Sequence, residues 1–230
     1  MSIYITGDIH GYPKRLSNKS LKLFRLEISE RDKVIICGDF GLPWCNDKED
    51  EYWLNWLEEK NFEILFVDGN HENFDLLYQF PVVERYGGKV HKVRKNIFHL
   101  MRGEVYEIEG KTFFAFGGAS SVDKHLRVES ISWWKQENFS LYEFDNAVNN
   151  LKKVDFKVDY VITHTAPKRF IIDCQKENFN VDTCPTSQML SKLEKMLMYQ
   201  KWFFGHFHVD YCVNESVAAW MYRRIVKVDE

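Results

Sequence analysis

The chain has 230 residues, of which 45% are hydrophobic and 16% aromatic, so it can bury a sizeable core and is long enough for one large α/β domain or two small ones. Its formal net charge of −3 disfavours a dedicated binder of long nucleic acid, which would carry a basic excess. No apolar run approaches the roughly 20 residues needed to span a bilayer, so no membrane segment is expected.

The cysteines indicate a reduced protein. There are five, with irregular spacing and no C-x-x-C pair: Cys37, Cys45, Cys174, Cys184 and Cys212. An odd, irregular set is typical of cytosolic proteins rather than disulfide scaffolds. The N-terminus passes directly into a strand-like run, without the basic and apolar regions of a signal peptide. We therefore expect a cytoplasmic location.

The first part of the chain alternates predicted strands and helices. Strands are predicted at Ile3–Thr6, Lys33–Cys37 and Ile64–Val67, and helices at about 13–24 and at 49–60. Each strand–helix–strand step predicts a parallel, right-handed βαβ connection.

The pattern changes after residue 87. Four successive strands are predicted at 89–93, 97–100, 104–108 and 111–116, with a hairpin turn at Glu109-Gly110. The run Phe113-Phe114-Ala115-Phe116 is apolar throughout, which predicts burial on both faces of a sheet. This half of the chain therefore favours a mixed or antiparallel sheet.

The remaining elements are predicted from local patterns. Ser140 and Glu143 form a capping box that opens a helix ending near Lys153. Residues 117–138 are expected to form a long ordered loop near the site. Further strands are expected at 160–163 and 201–204, a helix at 187–199, and two closing strands within 217–228.

Five short motifs each follow a predicted strand. They are Asp8-x-His10, Gly38-Asp39, Gly69-Asn70-His71-Glu72, His164 and Gly205-His206-x-His208. Because sites in α/β sheets form at the carboxyl ends of strands, we expect these side chains to meet. Carboxylates and imidazoles, completed by one amide oxygen, suit a two-metal centre. Asp39 is the natural bridging ligand, since one carboxylate can bind two cations. A site drawn from residues 8 to 208 predicts a single domain over 1–230.

This order of motifs resembles the pattern D-x-H, G-D, G-N-H-[DE], H and G-H-x-H of the calcineurin-like metallophosphoesterase family, over nearly the whole chain. The resemblance implies an α/β fold: a four-layer α/β/β/α sandwich with two mixed β-sheets. It implies hydrolysis of phosphomonoesters or phosphodiesters by a dinuclear metal centre with a bridging hydroxide. It also implies two catalytic residues, Asp39 and His71, the latter stabilising the transition state or protonating the leaving oxygen.

The resemblance also implies the metal ligands. Asp8, His10, Asp39 and His208 would hold one divalent ion, and Asp39, Asn70, His164 and His206 would hold the other. These ligand types suit Mn²⁺, which is the expected ion, and also Fe or Zn²⁺. Asp210, which follows the last motif, is expected to orient His208. The expected substrate is a phosphorylated small molecule or a nucleotide.

One departure from the family pattern concerns the phosphate. In the protein-phosphatase branch the second motif reads G-D-x-V-D-R-G, and its Arg grips the phosphate. Here residues 38–44 read GDFGLPW, without an Arg. Residues 38–41, with Gly117-Gly118-Ala119-Ser120-Ser121 and Trp133-Trp134 downstream, are similar to those of small bacterial and phage-borne phosphoesterases.

Three further residues are candidates for substrate binding. Lys124 and Arg127 could receive the phosphate in place of the missing Arg, or could belong to a solvated loop. Trp44 could stack on a nucleobase, or could simply pack. A nuclease or a Ser/Thr protein phosphatase on the same centre, and a non-catalytic metal-binding interaction module, are the alternative functions.

Overall fold

A computed structural model of the protein describes residues 1–175, 184–213 and 218–229. Within these residues the chain forms thirteen strands. They are β1 (Ile3–Thr6), β2 (Lys33–Ile36), β3 (Glu63–Phe66), β4 (Val82–Arg85), β5 (Gly88–Arg94), β6 (Ile97–Leu100), β7 (Glu104–Ile108), β8 (Lys111–Phe116), β9 (Tyr160–Thr163), β10 (Lys201–Phe204), β11 (Tyr211–Val213), β12 (Ala218–Trp220) and β13 (Ile225–Lys227).

The strands form two mixed sheets. The seven-stranded sheet has the order β13-β1-β2-β3-β6-β5-β4, and the six-stranded sheet has the order β11-β12-β10-β9-β8-β7. Strands β1, β2 and β3 are parallel neighbours in the first sheet, and β9 and β10 are parallel neighbours in the second. Hairpin pairs such as β7–β8 supply the antiparallel part. This arrangement agrees with the βαβ pattern of the first part of the sequence and the strand-rich middle.

Helices cover the outer face of each sheet. They are α1 (Asn18–Leu23), α2 (Lys48–Glu58), α3 (Phe74–Leu77), α4 (Leu141–Lys153), α5 (Lys168–Gln175) and α6 (Pro185–Glu194), with short 3-10 helices at Pro13–Leu16, Lys124–Leu126 and Lys135–Glu137. Side chains of α1, α2 and α3 pack on the seven-stranded sheet, and side chains of α4, α5 and α6 pack on the six-stranded sheet. None of the described helices combines the length and apolar character that a membrane crossing requires.

A third buried layer lies between the sheets. Ile5 and Leu65 of the first sheet share this layer with Phe113 and Ala115 of β8. Phe114 and Phe116 alternate with them and pack toward the helices on the far side. Successive residues of a strand point to opposite faces, so the all-apolar β8 fills two cores, as its sequence predicted. The predicted four-layer α/β/β/α sandwich is confirmed.

Several boundaries differ from the prediction, and some elements were not predicted. Helix α6 begins at Pro185 and ends at Glu194, earlier than the predicted 187–199. The short elements α3, β4 and β11, and helix α5, had no prediction. The two closing strands are β12 and β13, whereas Val217 lies outside the described residues. Cys37, Cys45 and Cys184 are free thiols, and the side chains of the other two cysteines lie outside the described part.

The capping box at the start of α4 is present as predicted. The Glu143 N–H donates to Ser140 Oγ at 3.3 Å, and the Ser140 N–H donates to Glu143 Oε2 at 2.6 Å. We expect Ser140→Ala to lower the free energy of unfolding by about 1 kcal/mol, because one helix-terminal N–H loses its acceptor. Urea unfolding followed by circular dichroism measures this change. Leu141→Ala is the control, because Leu141 is 77% exposed, and an equal loss in both variants would contradict the capping account.

Candidate metal centre

The predicted ligands follow five strands directly. Strands β1, β2 and β3 of one sheet and β9 and β10 of the other each lead into one of the five motifs. Parallel neighbours present their carboxyl ends at the same sheet edge, so the motifs gather at one place although they span most of the chain. The residues brought together in this way are Asp8, His10, Asp39, Asn70, His71, His164, His206 and His208.

Four of these side chains form a first ligand group. The ligand atoms of Asp8, His10, Asp39 and His208 all lie within 4.8 Å of one another. His208 Nε2 is 3.2 Å from Asp8 Oδ2 and 2.9 Å from His10 Nε2. His10 Nε2 is 3.6 Å from Asp39 Oδ2. Two imidazole nitrogens that face each other between two carboxylates fit a divalent first-row ion.

A second group lies on the other side of Asp39. His164 Nε2 is 3.2 Å from Asp39 Oδ1 and 3.1 Å from Asn70 Oδ1. The His206 ring lies against His164, with 5.0 Å between the ring centroids. Oδ2 of Asp39 thus faces His10 while Oδ1 faces His164. This is the arrangement that a bridging carboxylate needs, and both groups have the donor types of divalent-ion sites.

The charges of the centre are coupled through Asp39. Burial alone would raise the pKa of Asp39, but the charge of His164 and its hydrogen bond hold that pKa well below the usual range. Burial opposes a charge on His164, yet the negative charge of Asp39 outweighs it and raises the pKa of His164 to about 10. Burial, helped by the charge of His164, lowers the pKa of His206 to about 3. Imidazoles bind metals in the neutral form, so a bound cation would replace the proton on His164 as the partner of Asp39.

The ligand loops have unusual backbone conformations. His10, Asp39, His206 and His208 have φ values of 46°, 49°, 70° and 54°. Non-glycine residues with positive φ cost free energy and persist where the surrounding structure holds them, often at functional sites. Here the loops hold one another, since the His10 N–H donates to the Asp39 carbonyl oxygen at 2.8 Å.

Glycines in three motifs provide room for ligands from other motifs. A Cβ on Gly69 would lie 1.9 Å from Asp39 Oδ1. A Cβ on Gly38 would lie 2.2 Å from His164 Nδ1, and one on Gly205 would lie 2.2 Å from Asp8 Oδ1. Each glycine therefore lets a ligand from another strand exit rest against the backbone. The G-D, G-N-H and G-H-x-H patterns follow from this close packing.

Glu72 positions two of the loops, a role that the sequence did not indicate. Its carboxylate is 2% exposed and accepts from the N–H groups of Phe40 at 2.8 Å and Gly41 at 2.9 Å. It also accepts from the Gly69 N–H at 3.3 Å. Phe40 and Gly41 follow β2 and Gly69 follows β3, so Glu72 ties the exit of β2 to the exit of β3.

His71 lies at the edge of both ligand groups. Its N–H donates to Asp39 Oδ1 at 2.8 Å, and its ring is 4.9 Å from that of His10. Burial lowers its pKa, against the charge of Asp39. Nη2 of Arg127 is 3.4 Å from His71 Nε2. Arg127, predicted only as a candidate, thus lies beside the centre.

Arg127 is anchored by its own loop. Its Nε pairs with Asp123 Oδ1 at 2.8 Å, and its Nη1 donates to the Ser132 carbonyl oxygen at 3.1 Å. Lys124 is exposed, and its ammonium lies 5.9 Å from the centre of the Trp133 ring. The two predicted cations therefore differ, because only Arg127 has a contact with a residue of the centre.

A pocket of about 300 Å³ opens beside the centre. Its lining includes His10, Trp44, Asp47, Glu49, Trp53 and His71. Trp44, predicted as a stacking residue, is half-buried in this wall. Its ring also packs edge-on against Trp134, at 5.3 Å between centroids. Trp134 is 2% exposed and its indole N–H donates to Asp75 at 2.8 Å, so that tryptophan is part of the core.

The sequence suggested that Asp210 orients His208, but the Asp210 carboxylate has other hydrogen-bond partners. Its carboxylate accepts from the backbone N–H groups of Tyr222 at 2.9 Å and Arg224 at 3.0 Å. The Tyr222 ring stacks on His208, with 4.7 Å between centroids and 21° between planes. Asp210 therefore acts on His208 through the loop that carries Tyr222. Arg15, which donates to the carbonyl oxygens of Gly7, Asp8 and Tyr222, joins this loop to the exit of β1.

The close packing at Gly69 gives a prediction. We expect Gly69→Ala to lose most of its bound metal, because the new methyl group would occupy the position of Asp39 Oδ1. Metal content by mass spectrometry, with circular dichroism to confirm folding, measures the effect. Gly110→Ala is the control for general destabilisation, since its φ of +72° strains an alanine while a Cβ there meets nothing within 4 Å and its turn lies away from the ligands. Full metal content in folded Gly69→Ala would contradict this account of the glycine.

Comparison with known proteins agrees with the motifs. The model of the calcineurin-like phosphoesterase family matches residues 1–210. No curated protein matches the chain. A phosphopantetheinyl hydrolase from Mycobacterium tuberculosis is a similar solved structure, with 14% identity, a TM-score of 0.49 and coverage of 99% of this chain and 95% of that chain. Another, described as a 5′-nucleotidase from Staphylococcus aureus, has 14% identity, a TM-score of 0.46 and coverage of 97% of this chain and 49% of that chain. Because the family model spans most of its length, the chain belongs to the calcineurin-like phosphoesterase family and is a phosphoric ester hydrolase.

Proposed function

We propose that the protein hydrolyses small phosphoesters at a centre of two divalent ions. Asp8, His10, Asp39 and His208 hold one ion, and Asp39, Asn70, His164 and His206 hold the other. The observation that carries this proposal is the position of Asp39, whose Oδ2 faces one ligand group and whose Oδ1 faces the other. Family membership implies divalent ions, and Mn²⁺ is the ion proposed, with Fe and Zn²⁺ as alternatives.

The two ions and the protein side chains have separate tasks. Bound divalent ions would lower the pKa of a water molecule that attacks phosphorus and would neutralise charge on the phosphoryl oxygens. His71 is held by its backbone bond to Asp39, with its ring open to the pocket. Because its Nε2 accepts from Arg127, the imidazole donates a proton or a hydrogen bond to the leaving oxygen from Nδ1. Because His71 contacts Arg127, the guanidinium of Arg127 also lies near the position of the phosphoryl group.

Arg127 replaces the phosphate-gripping arginine that the second motif lacks. A guanidinium has five N–H donors, and three of them are used by Asp123, Ser132 and His71. The two that are left suit a phosphoryl group, which planar guanidinium donors bind well. Arg127 therefore binds the phosphate, while Lys124 contributes at most a more distant charge.

The pocket beside the centre supports a small substrate. Its volume of about 300 Å³ is at the lower end of the range for small-molecule sites. Trp44 gives it an aromatic wall, on which a nucleobase or another flat group can stack. Asp47 and Glu49 make its rim acidic, which disfavours a polyanionic leaving group such as a long nucleic acid. The substrate proposed is a phosphorylated small molecule or a nucleotide, as monoester or diester. A cytoplasmic location stays a prediction from the cysteine content.

The function is tested by hydrolysis of p-nitrophenyl phosphate and bis-p-nitrophenyl phosphate. We expect metal-stripped protein to be inactive and Mn²⁺ to restore activity on at least one ester. His71→Ala should lower turnover by roughly 10²–10⁴-fold with near-normal metal content, because only proton donation at the leaving oxygen is lost.

His125→Ala is the matched control, because His125 is an exposed histidine of the nearby loop. It should leave turnover unchanged. Activity that survives metal removal would refute the metal proposal. Wild-type turnover in His71→Ala would remove that residue from the reaction.

The role of Arg127 is tested against Lys124. We expect Arg127→Ala to raise KM at least about 10-fold, because a charged hydrogen bond to the phosphate is lost. Lys124→Ala should change KM less than about 2-fold. Steady-state kinetics on the better p-nitrophenyl ester measures both. Equal effects in the two variants would contradict the assignment of the phosphate to Arg127.

A further inference from the structure

The pocket of about 300 Å³ beside the metal centre is where the organic part of a substrate would lie. The proposed function assigns the phosphate to the two ions and Arg127, and Arg127 is not among the residues that line this pocket. His10 and His71 belong both to the centre and to the lining. The pocket therefore begins where the phosphate ends, and its chemistry indicates what the phosphate is attached to.

The lining of this pocket has an excess of negative charge. Three acidic residues line it, Asp47, Glu49 and Asp50, whereas no lysine or arginine of the described chain does. The acids of helix α2 that pair with a cation are Glu51 and Glu58, and neither lines the pocket. A cleft lined by charges of one sign attracts groups of the opposite sign. The lining therefore favours a cationic group.

The start of helix α2 accounts for only part of this acidic lining. Asp47 Oδ1 accepts from the N–H groups of Glu49 at 2.9 Å and Asp50 at 3.1 Å, so Asp47 caps the helix. Asp50 Oδ2 accepts from the N–H groups of Trp44 at 2.9 Å and Cys45 at 2.7 Å. Backbone N–H groups carry no net charge, and a helix N-terminus acts as roughly half a positive charge. Three carboxylates exceed that charge, so the pocket stays negative.

Aromatic residues also line the pocket. They are Trp44 and Trp53. The cluster of rings around Trp53 already holds an ammonium group, because Lys14 Nζ lies 4.7 Å from the centre of the Tyr12 ring and 5.8 Å from that of Trp53. Aromatic rings attract cations, and quaternary ammonium ligands are recognised in this way. Lys14 does not line the pocket, and its single charge would not balance three carboxylates.

The centre and the pocket therefore attract opposite charges. Divalent ions and Arg127 attract a phosphate, while the carboxylates of the lining attract a cation. A substrate with a phosphate at one end and an ammonium group at the other satisfies both. A neutral nucleobase would use the tryptophans alone, and a second phosphate group would be repelled by the lining.

We propose that the pocket beside the metal centre binds an ammonium group, so that the substrate is a phosphoester of an amino alcohol. A primary ammonium group relies mainly on the carboxylates, whereas a quaternary one also gains from the tryptophan rings. This assignment rests on the proposed function, because it takes the position of the phosphate from the proposed ions and Arg127.

The test is calorimetric titration of the Mn²⁺-loaded protein with phosphonates, whose P–C bond this centre does not hydrolyse. 2-Aminoethylphosphonate is compared with propylphosphonate, and its N-trimethyl derivative with 3,3-dimethylbutylphosphonate. In each pair the second compound has carbon in place of the charged nitrogen. We expect at least one ammonium compound to bind about 10-fold more tightly than its partner. Equal affinity within both pairs, or no binding of either ammonium compound at millimolar concentration, would overturn the proposal.

Hydrolysis of the p-nitrophenyl esters reports on the proposed function separately. If these esters are hydrolysed but neither ammonium phosphonate is preferred, the centre is hydrolytic and the assignment of the pocket is wrong. A preference for an ammonium phosphonate without hydrolysis of either ester would support the assignment of the pocket and count against the proposed catalysis.

Variants locate the ammonium group. The double variant Asp47→Asn, Glu49→Gln removes two negative charges, and asparagine still caps a helix. We expect it to lower the preference for the ammonium compound at least about 3-fold, since two charge interactions at the rim are lost. Glu59→Gln is the matched control, because Glu59 is an exposed acid at the other end of the same helix and does not line the pocket. An unchanged preference in the double variant, or an equal loss in Glu59→Gln, would overturn the proposal.

Discussion

The buried carboxylate of Asp39 is the group that most of the site is arranged around. It is 1% exposed, and a buried charge is tolerated only when it is paired and hydrogen-bonded. Its partners come from different strand exits: the backbone N–H of His71, and the rings of His10 and His164. It also rests directly against Gly69, where no Cβ can be accommodated. Satisfying this one carboxylate therefore fixes how closely the two sheets approach at this edge.

The register of the paired strands places the strand ends that carry these partners of Asp39 side by side. The last residues of β1, β2 and β3 are direct partners, since Thr6 pairs with Ile36 and Ile36 with Phe66. The three strands of this sheet thus end at the same level, and their motifs begin side by side. Apolar side chains between the sheets, such as Ile35 and Ile162, hold the second set of strand exits against the first. A shift of one residue in any of these pairs would exchange the residues that face the helices with those that face the other sheet, so the packing of the two cores also protects the geometry of the centre.

The sequence predicted the main strands and the side chains that meet at their ends, because both have local patterns. Glu72 shows what the sequence could not predict, since its role depends on N–H groups more than thirty residues earlier in the chain. Strand β4 (Val82–Arg85) was missed because it is a short edge strand whose residues are exposed or half-buried, which gives little periodic signal. The pairing of His91 with His99 was also missed. Their contact arises from the register of β5 with β6, which no local pattern indicates.

The side-chain amide of Asn70 shows why a neutral residue is suitable at this position. Its Nδ2 donates to Ser121 Oγ at 3.1 Å, and that hydroxyl donates to Glu137 Oε1 at 3.0 Å. Because the serine proton goes to the carboxylate, the hydroxyl must accept from Asn70, and this leaves Asn70 Oδ1 directed at His164. An aspartate would have no proton to give to Ser121 and would add a second buried charge beside Asp39. The backbone carbonyl oxygens of the two residues that flank Glu137 accept from Arg102, and Arg102 pairs with Asp68, two residues before Asn70. Hydrogen bonds therefore connect Asn70 through Ser121, the segment around Glu137 and Arg102 back to Asp68, also at the exit of β3. These bonds hold the Asn70 amide oxygen where the second ion would need it.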